Sequence, residues 1–321
     1  MAKRTSSRPN LSFIFHLIAR SALKPMEGAQ RVPVPTAPEE LGVTYIGHSS
    51  FLIQMGGLNL LVDPVFATWL IVLRRLRRPG IAMKDLPPID AVLLSHAHMD
   101  HLNLPSLRKI IRHTRQISGR APEVIVPWGV ADLVENLGFS KVRTLQWWQS
   151  VRLGNIDITL TPSKHWGARK VTDTHRGFGG YVLRSGEQAL YHSGDTAYFN
   201  GFREIAERLA PQVALLPIGA YSPDSFRSVH TSPEDALQAF IDLRASTMIP
   251  MHFGTFCLSH EPIEEPLPRL LRAANMGGMG NLIRPLVEGE TAIFAAPKNL
   301  EITATDEAAS RVSARTDTLS Q

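Results

Sequence analysis

The chain has 321 residues, 44% of them hydrophobic, with a formal net charge of +5 and one cysteine. That is enough apolar material for one large domain with a substantial core, and the lone Cys257 excludes an intrachain disulfide framework or a thiolate zinc cluster. A basic balance, with a sequence pI of about 9.5, points to an anionic partner; nucleic acid, phosphate esters and acidic lipid surfaces all qualify.

Residues 1–40 are rich in Arg, Ser and Pro and read as an extension outside the main domain. Their apolar island, Leu11–Leu23, carries Ser12, His16 and Arg20 as a narrow polar stripe at helical spacing. It is too short and too interrupted to span a bilayer. Lys3, Arg4 and Arg8 could front a signal peptide, but His16 and Arg20 break its apolar region. An interfacial helix, or one packed on the domain, is the better reading. Strand patterns follow at 43–55 and 58–62, split by a Gly56-Gly57 hairpin turn. The run Trp69–Leu73 then meets Arg74, Arg75, Arg77 and Arg78. Such a segment can insert apolar groups into lipid while guanidinium groups meet anionic headgroups, or it can be a helix with a buried apolar face. A strand at 90–94 leads to a helix at 105–113, opened by Pro105. Further strands are predicted near 123–126, 142–145, 156–161, 179–184, 188–192, 213–216, 247–250 and 291–294. Helices are predicted near 128–137, 199–209, 233–243 and 263–275; Thr231-Ser232-Pro233-Glu234-Asp235 supplies hydroxyl cap, first-turn proline and acids for the third of these. The domain is expected to occupy 41–297, and 298–321 to be a polar, disordered tail.

The densest chemistry lies in His96-Ala97-His98-Met99-Asp100-His101, directly after the apolar run Ala91–Leu94. Neutral imidazole and ionised carboxylate are ligands that zinc, iron and manganese accept. A loop at a strand end can curl so that some of these groups face one ion and some another. Two ions need more ligands, and three places offer them just past an apolar, β-branched run: His165, Asp195 and His252. Ligands from several strand ends converge at one sheet edge, where active sites commonly sit.

The order of these segments resembles the metallo-β-lactamase superfamily of binuclear metallohydrolases. Within it, the chain is most similar to the branch of N-acylphosphatidylethanolamine-hydrolysing phospholipase D. The closer match rests on Val43-Thr44-Tyr45-Ile46-Gly47-His48, Val62-Asp63-Pro64-Val65-Phe66 and Leu86-Pro87-Pro88-Ile89-Asp90-Ala91-Val92. It continues with Thr161-Pro162-Ser163-Lys164-His165-Trp166, Ser193-Gly194-Asp195-Thr196-Ala197-Tyr198 and Pro217-Ile218-Gly219-Ala220-Tyr221. The last segments are His230-Thr231-Ser232-Pro233-Glu234-Asp235-Ala236 and His252-Phe253-Gly254-Thr255-Phe256, so the likeness covers roughly residues 41 to 260.

The resemblance implies an αββα sandwich of the α/β (α+β) class. It implies His96, His98 and His165 on a first metal, Asp100, His101 and His252 on a second, and Asp195 bridging them. A carboxylate has two oxygens and can span neighbouring ions, which imidazole cannot. The cofactor expectation is two divalent ions, zinc foremost, with manganese or iron as alternatives. Between them would sit a hydroxide, since cation binding lowers the pKa of water to about 7, and Asp100 would orient it or shuttle its proton. His230 is expected to bind substrate or protonate the leaving group. Asp63 and His48 would orient metal ligands from behind. Met99 occupies a position at which the mammalian lipid enzyme has an aromatic residue touching substrate, which puts that particular lipid in doubt but not hydrolysis. His113, His175, His192 and His260 read as surface or structural residues.

The expected activity is that of a phosphodiesterase of the phospholipase D type on a phospholipid such as an N-acylphosphatidylethanolamine, in the cytoplasm and peripheral at the inner face of the membrane through Trp69–Arg78 and Leu11–Leu23. A hydrolase of a small soluble anion, like the sugar-phosphate lactonases, is the rival. A nuclease ranks lower, because no nuclease-type insertion separates Asp195 from His252. A non-catalytic metal-binding protein is disfavoured because all seven ligand positions are filled.

Overall fold

The computed structural model describes residues 11–22, 24–170 and 173–295. The tail expected at 298–321, the basic front of Lys3, Arg4 and Arg8, and Leu23 lie outside the described residues.

The first three strands, β1 (Leu41–Gly47), β2 (Ser50–Met55) and β3 (Leu58–Val62), form an antiparallel meander. Gly56 and Gly57 take φ of 56° and 76° and turn β2 into β3, since both turn positions of such a hairpin need positive φ. The stretch read as one strand over 43–55 is two, because His48 also adopts a positive φ of 61° and reverses the chain there. A separate small hairpin follows, β4 (Trp69–Leu70) and β5 (Leu73–Arg74). Next come β6 (Ala91–Leu93), β7 (Glu123–Pro127) and β8 (Lys141–Leu145), which extend the first sheet in parallel from β3. The second sheet begins antiparallel with β9 (Ser150–Leu153), β10 (Ile156–Thr161), β11 (Gly180–Ser185) and β12 (Gln188–His192). It continues in parallel with β13 (Val213–Pro217) and β14 (Thr247–Met251). Finally β15 (Thr291–Phe294) returns to the first sheet beside β1.

Side-chain alternation decides the layering. Leu60 and Val62 of β3 join Ile158, Leu160, Tyr181, Leu190, Leu215 and Ile249 between the sheets. Leu61, between them in sequence, turns outward with Val92 and Val124 onto Leu107 and Ile110 of α2 (Leu104–Ser118), α1 being Leu11–Ala22. On the far side Val182, Tyr191, Ala214 and Met248 face Phe202, Phe240 and Leu270. These come from α3 (Gly201–Leu209), α4 (Pro233–Leu243) and α5 (Pro266–Met276). The result is helix, sheet, sheet, helix: the expected αββα sandwich. With both faces covered, the central strands are buried throughout, as β1 and β13 are.

Local signals set most boundaries. Asn103 caps α2 through the Ser106 amide, and Gly119 ends it in the left-handed region, so the helix is longer than the predicted 105–113. Ser232 and Asp235 form a reciprocal capping box at the start of α4. The helix predicted over 128–137 is instead two short 3-10 turns, Ala131–Leu133 and Glu135–Leu137. The Trp128 carbonyl is taken by the Gly177 amide at 2.7 Å and its amide bonds the Leu145 carbonyl, so no helix can propagate from it.

The arginine cluster is not one basic face. Arg75 is fully buried and donates to the carbonyls of Arg77, Val65 and Ile46, with its guanidinium over the Phe256 ring. Arg77 pairs with Glu288 through both carboxylate oxygens, and Arg74 donates to the Lys24 carbonyl. The cluster corrects the expectation of four guanidinium groups meeting headgroups. The stretch Trp69–Leu73 is not a helix with a buried face either; it lies in the hairpin. Of the N-terminal island, α1 is docked on the domain: Leu17 packs with Leu76 and Cys257, and Arg20 donates to the carbonyls of Ser259, His260 and Glu261.

Candidate metal centre

Four strands deliver the site at one edge of the sandwich. The loop 94–101 leaves the end of β6, and His165 lies just past β10. Asp195 follows β12, and His252 follows β14 with φ of 60°. All seven residues singled out by sequence as metal ligands come together here. They fall into neighbouring groups: His96, His98, His165 and Asp195 in one, and Asp100, His101 and His252, joined by His48, in a second; Asp195 and His252 also stand together with His230.

In the first group, His98 Nδ1 stands 2.8 Å from His96 Nε2 and 3.2 Å from His165 Nε2. Three ring nitrogens aimed at one point are what a single cation would collect. The tautomers of His96 and His165 are fixed from behind, whereas His98 Nε2 has no partner. Ser95 Oγ donates to Asp63 Oδ2 and so accepts from His96 Nδ1 at 2.9 Å, leaving Nε2 with its lone pair inward. His165 Nδ1 donates to the Val229 carbonyl at 2.8 Å, with the same consequence. The indole of Trp166 packs edge-on to the His98 ring.

In the second group, His101 Nδ1 donates to Asp63 Oδ2 at 2.7 Å, so its Nε2 faces the Asp195 and Asp100 carboxylates at 3.3 and 3.6 Å. His252 Nε2 lies 3.0 Å from Asp195 and 3.6 Å from Asp100. Asp195 is therefore the common member: it also approaches His96 and His165 at 3.9 and 4.0 Å. His48 Nε2 bonds Asp100 Oδ2 at 3.0 Å, while its carbonyl accepts from the His252 amide. Buried polar atoms of this cluster lack any hydrogen-bond partner: His101 Nε2, His252 Nε2 and Asp195 Oδ1 among them. Orphaned buried polar atoms of this kind normally have a ligand or ion to satisfy them, and the residues present fit divalent cations.

The electrostatics of the two groups differ. Burial holds His96 and His165 well below the usual imidazole value and pushes His98 down to about 4, so these three are neutral. Burial opposes protonation of His101 and His252 too, yet the Asp195 and Asp100 carboxylates outweigh it. They raise His252 to about 9 and His101 well above its ordinary value. Desolvation would raise both aspartates, but the flanking imidazoles hold Asp100 and Asp195 well below the carboxylate range.

The opening of the site is lined by His98, Met99 and Asp100, all half-buried, and by His230. His230 Nδ1 is 3.8 Å from Asp195 and otherwise without a partner, and its ring stacks on that of His252. Among the histidines read as structural, His192 bonds the Ser49 carbonyl and the Gly194 amide, and His113 bonds the Leu86 carbonyl. Sequence reasoning missed Ser95, the Val229 carbonyl and Arg75. Ser95 and the Val229 carbonyl carry no residue-type signal, and Arg75 carries one that points outward although the fold buries it; their roles arise only from what the fold sets beside them.

A family model for the beta-lactamase superfamily domain matches residues 58–253. A Caenorhabditis elegans N-acyl-phosphatidylethanolamine-hydrolyzing phospholipase D is 31% identical over 275 residues, covering 78% of this chain and 77% of that protein. A mitochondrial Saccharomyces cerevisiae enzyme of the same description is 33% identical over 267 residues, 76% of this chain but 56% of its own length. A metal-dependent hydrolase of Opitutus terrae is 32% identical over 260 residues, covering 78% of this chain and 98% of that protein. Among solved structures, a metallo hydrolase of the archaeon Ignicoccus hospitalis superposes with a TM-score of 0.62 at 26% identity, covering 79% of this chain and 98% of that one.

Proposed function

Because this chain belongs to the metallo-β-lactamase superfamily, where it is a metal-dependent hydrolase, we propose that it cleaves the phosphodiester of a phospholipid of the N-acylphosphatidylethanolamine type. The observation that carries this reading is the pair of adjacent ligand clusters sharing Asp195, together with two relatives described as phospholipases D of that substrate.

His96, His98 and His165 would hold one ion, Asp100, His101 and His252 the other, and Asp195 both. The five imidazoles and two carboxylates favour zinc, with manganese or iron as alternatives. Such ions supply Lewis-acid stabilisation of negative charge and lower the pKa of water. The chain's own groups do the rest. Asp63 and Ser95 fix the His101 and His96 tautomers, and His48 holds Asp100 by its carboxylate. The unpartnered His230 Nδ1 is free to hydrogen-bond a substrate oxygen at the mouth.

A screen of metal-reconstituted protein against N-acylphosphatidylethanolamine, soluble phosphodiesters, lactones, lactams and nucleic acid tests the reading. The expected outcome is release of N-acylethanolamine and phosphatidic acid, with turnover requiring lipid in micelles or vesicles. Equal or faster turnover of a soluble lactone or ester would replace it with the soluble-anion reading.

A further inference from the structure

The β4–β5 hairpin has a two-residue tip, Ile71 and Val72, flanked by Trp69. Ile71 sits at φ of 57°. A hairpin turn asks for Gly or Asn at such a position, and a β-branched residue there is strained. Nothing inside the fold rewards the choice: Trp69 is 50%, Ile71 74% and Val72 44% exposed. The base of the hairpin, in contrast, is fixed. Leu70 packs on Val65 and Phe256, and buried Arg75 ties the following residues to the carbonyls of Val65 and Ile46. Phe256 in turn meets the His48 ring edge-on at 5.2 Å, and His48 bonds Asp100. The base of the hairpin is thus linked through Phe256 and His48 to Asp100 of the metal centre.

We infer that this tip inserts into the apolar zone of a lipid bilayer and does so by hydrophobic contact rather than by the charge of the arginine cluster. The inference rests on the lipid-hydrolase reading above and names the surface by which the site reaches its substrate. Three side chains offer far less than the roughly 800 Å² per partner that a stable protein interface buries, so a second copy of the chain is a poor occupant. An aromatic and two aliphatic side chains at a protruding turn suit the headgroup–acyl boundary, where binding scales with apolar area inserted. Arg75 and Arg77 are engaged within the protein and Arg74 bonds the Lys24 carbonyl, which leaves Arg78 as the exposed member of the cluster, so salt should have only a small charge to screen.

Vesicle flotation with phosphatidylcholine, in low and 1 M salt, tests this on full-length wild type and on the combined variant Trp69→Ser, Ile71→Asn, Val72→Ser. Asn tolerates the left-handed turn, so the variant should match the wild type in Tm and metal content. Expected are wild-type flotation that survives high salt and a variant partitioning about tenfold more weakly or worse. Flotation that needs anionic lipid or is abolished by salt would overturn the inference, as would equal flotation of the two proteins. So would light scattering that shows a wild-type dimer and a monomeric variant. Phosphatidylcholine lacks the N-acyl amide, so failure of the substrate reading would leave this result standing, and the reverse.

Discussion

At Asp63 a single carboxylate accepts from the Ser95 amide at 2.7 Å, from the Ser95 hydroxyl and from His101 Nδ1. It decides which His101 nitrogen faces the site and, through Ser95, which His96 nitrogen does. Asp63→Asn presents an amide where three donors converge, so metal affinity should fall by about 10–100-fold, more for the ion at His101 than for that at His98. Titration against a chelator of known affinity measures it; unchanged affinity for both ions would remove Asp63 from the support of the site. His230 poses a different question, since it stands near Asp195 and His252 yet at the opening. His230→Ala should lower turnover by about a hundredfold or more while elemental analysis still finds the wild-type metal ratio. Loss of metal in step with activity would make it a ligand. At this scale the sequence was legible wherever the residue type announces its chemistry, as with the seven candidate ligands. It was silent on Ser95 and misleading on Arg75, whose burial nothing in the run Arg74–Arg78 reveals.

Elements were legible where their signals are local. The start of α4 could be read because cap, proline and acid sit within five consecutive residues, and both halves of the capping box form. Ser232→Ala should therefore cost about 1 kcal/mol, seen as a lower urea midpoint at unchanged m-value. Because the residues just before that cap include His230 and the Val229 carbonyl that holds His165, the same variant should also weaken metal binding. Elements failed to be legible where a distant partner decides. The 128–137 segment has helical periodicity, but the Gly177 amide claims the Trp128 carbonyl. Strand β9 was missed because an edge strand needs no continuous apolar run; its burial alternates between exposed and half-buried.

For the molecule as a whole, the contrast between neutral and protonated histidines has a measurable result. His252, raised to about 9, and His101 carry protons at neutral pH in the metal-free site, while His98, at about 4, does not. Occupying the Asp100, His101 and His252 group must expel protons, and occupying the His96, His98 and His165 group need not. Calorimetry in buffers of different ionisation enthalpy should therefore find proton release confined to one of two binding events, the one whose affinity climbs as pH approaches about 9. Equal proton counts for both events would contradict the assignment. The sign carries over to stability. A raised histidine pKa stabilises the metal-free fold below the unfolded value of 6.5 and ceases to do so as pH rises through about 9. The lowered Asp100 and Asp195 stabilise it above the unfolded carboxylate value and cease to do so on acidification. The rise in Tm on adding metal should accordingly be larger at pH 9 than at pH 6.

Each ligand group draws from both sheets: His96 and His98 follow β6 and His165 follows β10, while Asp100 and His101 follow β6 and His252 follows β14. The first group draws on residues 96–195 and the second on residues 100–252, so neither can be assembled from one local stretch of chain. His252, the last of the candidate ligands in chain order, comes after every strand but β15 among the described residues, so the second group cannot exist on a nascent or half-folded chain. Cation capture is then a report that both halves have docked in register. A chain whose β14 has not closed would lack the second group, and with it the paired site that hydrolysis is proposed to need.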